Sequence, residues 1–150
     1  RFALAPLGLG APRFHADEFS SDVRGRLVAG ALRAGRYLVR TTDEGARAED
    51  GSRWALAPSE VVTGERATLW LVPAAELVLL GTDTLPLRST FRLAREGLVL
   101  FESPLVAGWL PRFALAPGEH RLELFDAHGA EFATRAFTLT PDGLELDLAR

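Results

Sequence analysis

The feature that most constrains this chain is an alternation of apolar and polar residues with a period of two, broken at short intervals by turn-forming residues. Leu87, Phe91 and Leu93 fall on one parity while Arg88 and Arg92 fall on the other. Successive side chains of a strand point to opposite faces, so a segment of this kind buries one face and wets the other. Glu96-Gly97 then turns the chain into Leu98-Val99-Leu100-Phe101, which is apolar on both parities and is expected as a central strand. Trp109, Phe113 and Leu115 share a parity, which assigns Trp109 to the core. Pro117-Gly118 is expected to close that segment into a hairpin with the strand in which Leu122 and Leu124 alternate with Arg121 and Glu123. A second turn spans Asp126 to Gly129. Beyond it Phe132 lies on one parity but Phe137 and Leu139 on the other, so a bulge is expected near Thr134. Pro141-Asp142-Gly143 is a third turn, followed by Leu144, Leu146 and Leu148 alternating with Glu145 and Asp147.

Turns at this spacing predict an all-β fold, an antiparallel β-sandwich of Ig-like type, rather than βαβ units. The N-terminal third is the ambiguous part. Ser21-Asp22 would cap a helix with Val23, Leu27, Ala31 and Leu32 on its apolar face. Gly25, Gly30 and Gly35 would each cost such a helix about 1 kcal/mol relative to Ala, and strand with loop is the favoured reading. The abundance of Leu and Ala is weak evidence for helix in this chain. All seventeen basic residues are Arg, and Lys, Ile, Asn and Gln are absent along with Cys and Met, which reads as GC-rich coding bias rather than chemistry.

The absence of Cys excludes disulfides, thiolate metal sites and Cys nucleophiles, but under such a bias it says nothing about compartment. A net charge of -3 is spread along the chain without a clustered basic surface for nucleic acid. No apolar run approaches the roughly 18 residues of a membrane span. The opening RFALAPLGLGAP is too short and too broken by Gly and Pro for a signal peptide. A chain that begins at Arg1 reads as a mature product or an excised fragment.

Two stretches run in parallel. Leu32-Arg33-Ala34-Gly35 and Arg36 to Arg40, then Gly45-Ala46-Arg47-Ala48, match Leu115-Ala116-Pro117-Gly118 and Glu119 to Leu124, then Gly129-Ala130-Glu131-Phe132. The copies end in Arg66 to Val72 and Leu144 to Leu148. RFALAP at 1–6 returns as RWALAP at 53–58 and RFALAP at 112–117, at intervals of 52 and 59 residues, too irregular for a solenoid. On Leu32, Gly35, Tyr37, Leu38 and Val39 in the first copy, and Leu115, Gly118, Leu122, Leu124, Gly143, Leu144, Leu146 and Leu148 in the second, the chain resembles carboxypeptidase regulatory-like, or transthyretin-like, domains. The likeness covers about 32–72 and 85–149. It implies seven-stranded β-sandwiches in tandem and a non-catalytic accessory role in an exported protein. His120 departs from it, standing where the aromatic of the G-x-Y strand is expected. The modules are expected at 1–73, incomplete at its N-terminus, and 74–150, joined near Pro73-Ala74-Ala75 without a long linker.

Several constellations of polar residues carry the groups that chemistry needs. His120, Asp126 and His128 would supply metal ligands if their turn folded back, but their spacing matches no metal motif and exposed hairpin residues are the favoured reading. His15 stands apart. Asp17, Glu18 and Asp22, and Asp43, Glu44, Glu49 and Asp50, lack a regular calcium-loop spacing and read as solvated turns. Ser20, Ser21, Ser59, Ser89 and Ser103 lie in no nucleophile motif, so no catalytic residue, metal or cofactor is expected. Trp54, Trp70 and Trp109 would stack on sugar rings if they faced outward. Trp70 shares a parity with Thr68 opposite Leu69 and Leu71. Packing against the second module is the favoured reading, and presentation of its ring to a ligand is the alternative. The sequence therefore reads as a non-catalytic structural or interaction module of a larger protein, leaning extracellular or periplasmic, whose partners are other domains of the same or a neighbouring polypeptide. The alternative is a carbohydrate-binding module that takes polysaccharide on Trp70.

Overall fold

A computed structural model describes residues 2–7, 17–19, 22, 26, 28, 33–42, 44–57, 59–106 and 108–149. The candidate helical face of Val23, Leu27, Ala31 and Leu32 lies outside them. The described chain is all-β. Its strands are β1 Phe2–Leu7, β2 Asp17–Phe19, β3 Arg36–Thr41, β4 Ala46–Arg47, β5 Arg53–Leu56, β6 Ser59–Val62, β7 Leu71–Pro73, β8 Ala75–Leu80, β9 Thr90–Arg95, β10 Leu98–Pro104, β11 Arg112–Leu115, β12 Gly118–Phe125, β13 Glu131–Leu139 and β14 Leu144–Asp147. A short 3-10 turn covers Thr82–Thr84. No helix among the described residues is long and apolar enough to cross a membrane.

The strands form four sheets, ordered β2-β1-β3-β6, β4-β5-β7, β11-β8-β14 and β10-β9-β12-β13. Pairing is antiparallel with one exception: β14 runs parallel to β8, Leu144 beside Leu77 and Leu146 beside Leu79. A parallel neighbour needs a long crossover, and here it is the whole run β9 to β13, from which the Thr140–Gly143 turn returns the chain to β14.

Alternation becomes burial where the sequence is most regular. Phe91 and Leu93 of β9 and Leu122 and Leu124 of β12 are buried, and they meet Leu77 and Leu79 of β8 and Phe113 and Leu115 of β11 in one cluster. Phe91 and Phe113, from different sheets, have ring centroids 5.6 Å apart at 58°, and Phe101 lies 4.9 Å from Phe113. Each such side chain contributes about 1.5–3 kcal/mol by leaving water, and tilted aromatic pairs add to that. A second cluster holds Leu4, Tyr37, Val39 and Leu56. β3 serves both, since Tyr37 and Val39 fill the smaller cluster while Leu38 reaches the larger. A strand buried on both faces explains the unbroken run Tyr37-Leu38-Val39.

Several local expectations are corrected. Leu87 and Arg88 precede the strand: they occupy a turn closed by Ser89 N–H donating to Pro86 O, with Arg88 at φ 63. Leu98–Phe101 belongs to an edge strand, β10, whose Val99 is exposed at a register shift between Val99 and Phe101. Pro117-Gly118 does not close a hairpin, because β11 pairs with β8 and β12 with β9 and β13. The segment crosses between sheets instead. The bulge expected near Thr134 is present and falls at Phe132, with Phe125 paired to Glu131 and Leu124 to Ala133. The internal parallel also stops short of pairing, since β3 sits between β1 and β6 while β4, the counterpart of the start of β13, pairs with β5.

Glu96-Gly97 performs as read. Both residues have positive φ, 52 and 78, as a two-residue turn between right-twisted strands requires.

Candidate functional site

Trp70 lies in the segment 65–70 that precedes the edge strand β7. Leu69 packs on the smaller apolar cluster and so anchors the segment, while Trp70 is 78% exposed beside Leu71 at 39%. The two other tryptophans are more engaged. Trp54 is half-buried and its Nε1–H donates to Ser52 Oγ at 3.0 Å, whose hydroxyl donates to Asp50 Oδ1 at 2.6 Å. Trp109 sits 6.2 Å from Phe91, tilted by 49°, yet stays 39% exposed. It caps the edge of the core rather than entering it, which corrects its assignment by parity.

The histidine constellation does not assemble. His120 and His128 lie at opposite ends of the β12 segment, the first buried and the second exposed. His128 and Asp126 form a turn in which Asp126 Oδ1 accepts the backbone N–H of His128 at 2.8 Å and of Ala130 at 2.9 Å. The N–H of Ala130, then that of His128, hold the Asp126 carboxyl below its ordinary value. No group of three metal-ligating side chains occurs among the described residues.

The acidic and hydroxyl residues are likewise engaged in local structure. Asp50 is lowered by hydrogen bonds from the Ser52 hydroxyl and backbone, while Glu44 and Glu49 are exposed. His15, Asp43, Ser20 and Ser21 lie outside the described residues, as do the side chains of Asp17, Glu18 and Ser59. Buried Ser89 donates its hydroxyl to Pro86 O at 2.6 Å, and Ser103 donates to Pro104 O at 3.3 Å.

Two arrangements were not legible in the sequence. On the outward face of the β10-β9-β12-β13 sheet, Arg92 is opposite Glu102 in one ladder and Glu123 in the next. Its guanidinium binds each carboxylate at 3.1 Å, stacks over Phe125 at 4.6 Å, and shares Glu123 with Arg121. Alternation marks all these residues as outward-facing, but only the register brings them together.

The second arrangement is an apolar end surface. Leu87 is 86% exposed, Val106 62%, and Leu110 and Trp109 about 40%. Their loops are tied together: Thr82 Oγ1 donates to Trp109 O at 2.7 Å, Leu105 N–H to Ser89 O at 2.7 Å, and Trp109 N–H to Val106 O at 3.0 Å. The loops that carry these exposed apolar side chains are thus joined by hydrogen bonds, and exposed apolar surface is where interaction sites form.

Compared with family models, with curated proteins and with solved structures, the chain shows no match to any of them.

Proposed function

We propose that the chain is a non-catalytic structural and interaction unit of a larger exported or cell-envelope protein, built of β-sandwich modules at 1–73 and 74–150. In the second module the β11-β8-β14 and β10-β9-β12-β13 sheets are the two layers, three and four strands around one core. Seven strands in two layers are what the resemblance to transthyretin-like domains implies. Leu38 and the Arg40–Phe101 contact tie the halves together, so the pair acts as a semi-rigid spacer. The observation that carries the interaction role is the apolar end surface of Leu87, Val106, Trp109 and Leu110, whose occupant is a neighbouring domain of the same or a partner polypeptide. Adding the flanking domain in trans should slow amide exchange at 87–89, 106 and 108–110, and Leu87→Ser with Leu110→Ser should weaken that protection. Unchanged exchange at those amides would reject the reading.

A second reading, polysaccharide binding, is supported by the exposure of Trp70. An outward indole beside an edge strand offers a face for sugar stacking. Thermal unfolding with a panel of soluble polysaccharides tests it, because a ligand selective for the native state raises its apparent stability.

A further inference from the structure

The chain passes from β11 to β12 through Ala116-Pro117-Gly118, and two cationic or ionisable side chains meet on that crossover. Arg95, at the end of β9, donates from Nη1 to Ala116 O at 3.3 Å and to Pro117 O at 3.1 Å. The imidazole of His120 contacts the same Ala116 O from Nε2 at 3.0 Å. A carbonyl only accepts, so Nε2 carries the ring proton and the neutral tautomer leaves Nδ1 as an acceptor. Among the described residues no side chain or backbone group hydrogen-bonds Nδ1, which is buried, and the ring stacks on Phe137 of β13 at 5.6 Å.

We propose that His120 is an acid-released latch: protonation of its imidazole frees the Ala116-Pro117-Gly118 crossover and loosens the start of β12. Protonation would place a second N–H where no acceptor reaches it, and an imidazolium beside a guanidinium on one carbonyl. Burial, the largest effect, and the charge of Arg95 from β9 oppose protonation, while the bond to Ala116 O and the charge of Glu119 from β12 favour it, so the crossover is released only because the buried charge outweighs that bond. Phe137 brings no charge. Glu119 offers little compensation, because it is exposed and accepts a hydrogen bond from Thr138 Oγ1, and Arg95 retains a partner in Glu96 at 3.3 Å. Burial, together with Arg95, thus holds the imidazole below its ordinary value of 6.5 in the folded chain. The unfolded chain then binds the proton more readily than the folded one. Stability from this site is complete above the unfolded value and falls as the pH drops through it toward the folded value. The latch is independent of any partner or ligand of the chain.

Two measurements on the whole chain decide it: imidazole ¹⁵N spectra, which report the protonation of each ring nitrogen, and amide exchange corrected for its intrinsic pH dependence. Between about pH 7 and about pH 5, exchange at 118–122 should quicken measurably more than at Leu77 and Leu79 of β8. His120→Gln, which keeps a donor but cannot titrate, should abolish the pH-dependent loss. If that variant does not fold, the wild-type spectra and exchange suffice. Protonation of His120 at its ordinary value with 118–122 unchanged, or loss of protection equal in β8 and β12, would overturn the latch.

Discussion

The guanidinium of Arg40 lies 4.0 Å above the ring of Phe101, and through that contact β3 reaches the edge of a sheet built from the far half of the chain. Phe101 in turn lies 4.9 Å from Phe113, while Leu38, two residues before Arg40, is buried in the same cluster. The first half therefore does more than abut the second. It contributes a side chain to the larger core.

Removing that side chain should be felt throughout. Leu38→Ala is expected to cost about 2–5 kcal/mol, as for other buried leucines, and Arg40→Gln about 1 kcal/mol through loss of the cation–π contact. In urea unfolding, Trp fluorescence and circular dichroism should shift together in Leu38→Ala. A variant that loses only part of the signal early, leaving the remainder at the wild-type midpoint, would show that Leu38 does not stabilise the larger core.

Two turn glycines separate backbone strain from close approach. Gly97 and Gly143 both have positive φ, 78 and 90, but a Cβ at Gly97 meets nothing within 4 Å while one at Gly143 would lie 2.8 Å from Glu76 O. Gly97→Ala should cost about 1 kcal/mol from conformation alone. Gly143→Ala should cost at least about twice that, because β14 must also draw back from β8. Equal losses in chemical denaturation would refute the close-approach argument.

Asp126 gives the acid limb a definite sign. Its carboxyl is held below the ordinary 3.8 by the N–H groups of Ala130 and His128, so the stabilisation is present above 3.8 and is lost as the pH falls through the folded value. Asp126→Ala should lower Tm at neutral pH and flatten its fall between about pH 5 and about pH 2. Parallel profiles for variant and wild type would show that the turn does not feel the charge.

Trp70→Ala should leave stability within about 0.5 kcal/mol of wild type, as expected for an exposed side chain. Any polysaccharide that raises the wild-type Tm should fail to do so in this variant. Retention of the shift would remove Trp70 from the binding role while leaving the spacer role untouched.

What was legible in the sequence follows from which physical signals are local. The inward parity of Phe91, Leu93, Leu122 and Leu124 could be read because a strand places alternate side chains on opposite faces whatever lies beside it. The turns at Glu96-Gly97 and Asp126–Gly129 could be read because left-handed backbone and Asp side-chain bonding are properties of a few adjacent residues. Trp70 is exposed rather than packed against the second module, and this was not legible because an outward parity on one strand says nothing about whether another sheet covers it. The Arg92 network and the end surface escaped because each joins residues from strands or loops far apart in the chain.

The sequence by itself determined that this is a β protein, where many of its strands turn, and which face of the regular strands is apolar, since all of these are fixed by chain geometry over a few residues. Tertiary structure decided which strands pair. It made Pro117-Gly118 a crossover rather than a hairpin, set β14 parallel to β8, and brought Leu38 into a core formed mainly by residues 75–148. The reason is that backbone N–H and C=O groups are nearly the same at every residue and select no partner on their own. The choice falls to the collective packing of side chains that lie far apart in sequence.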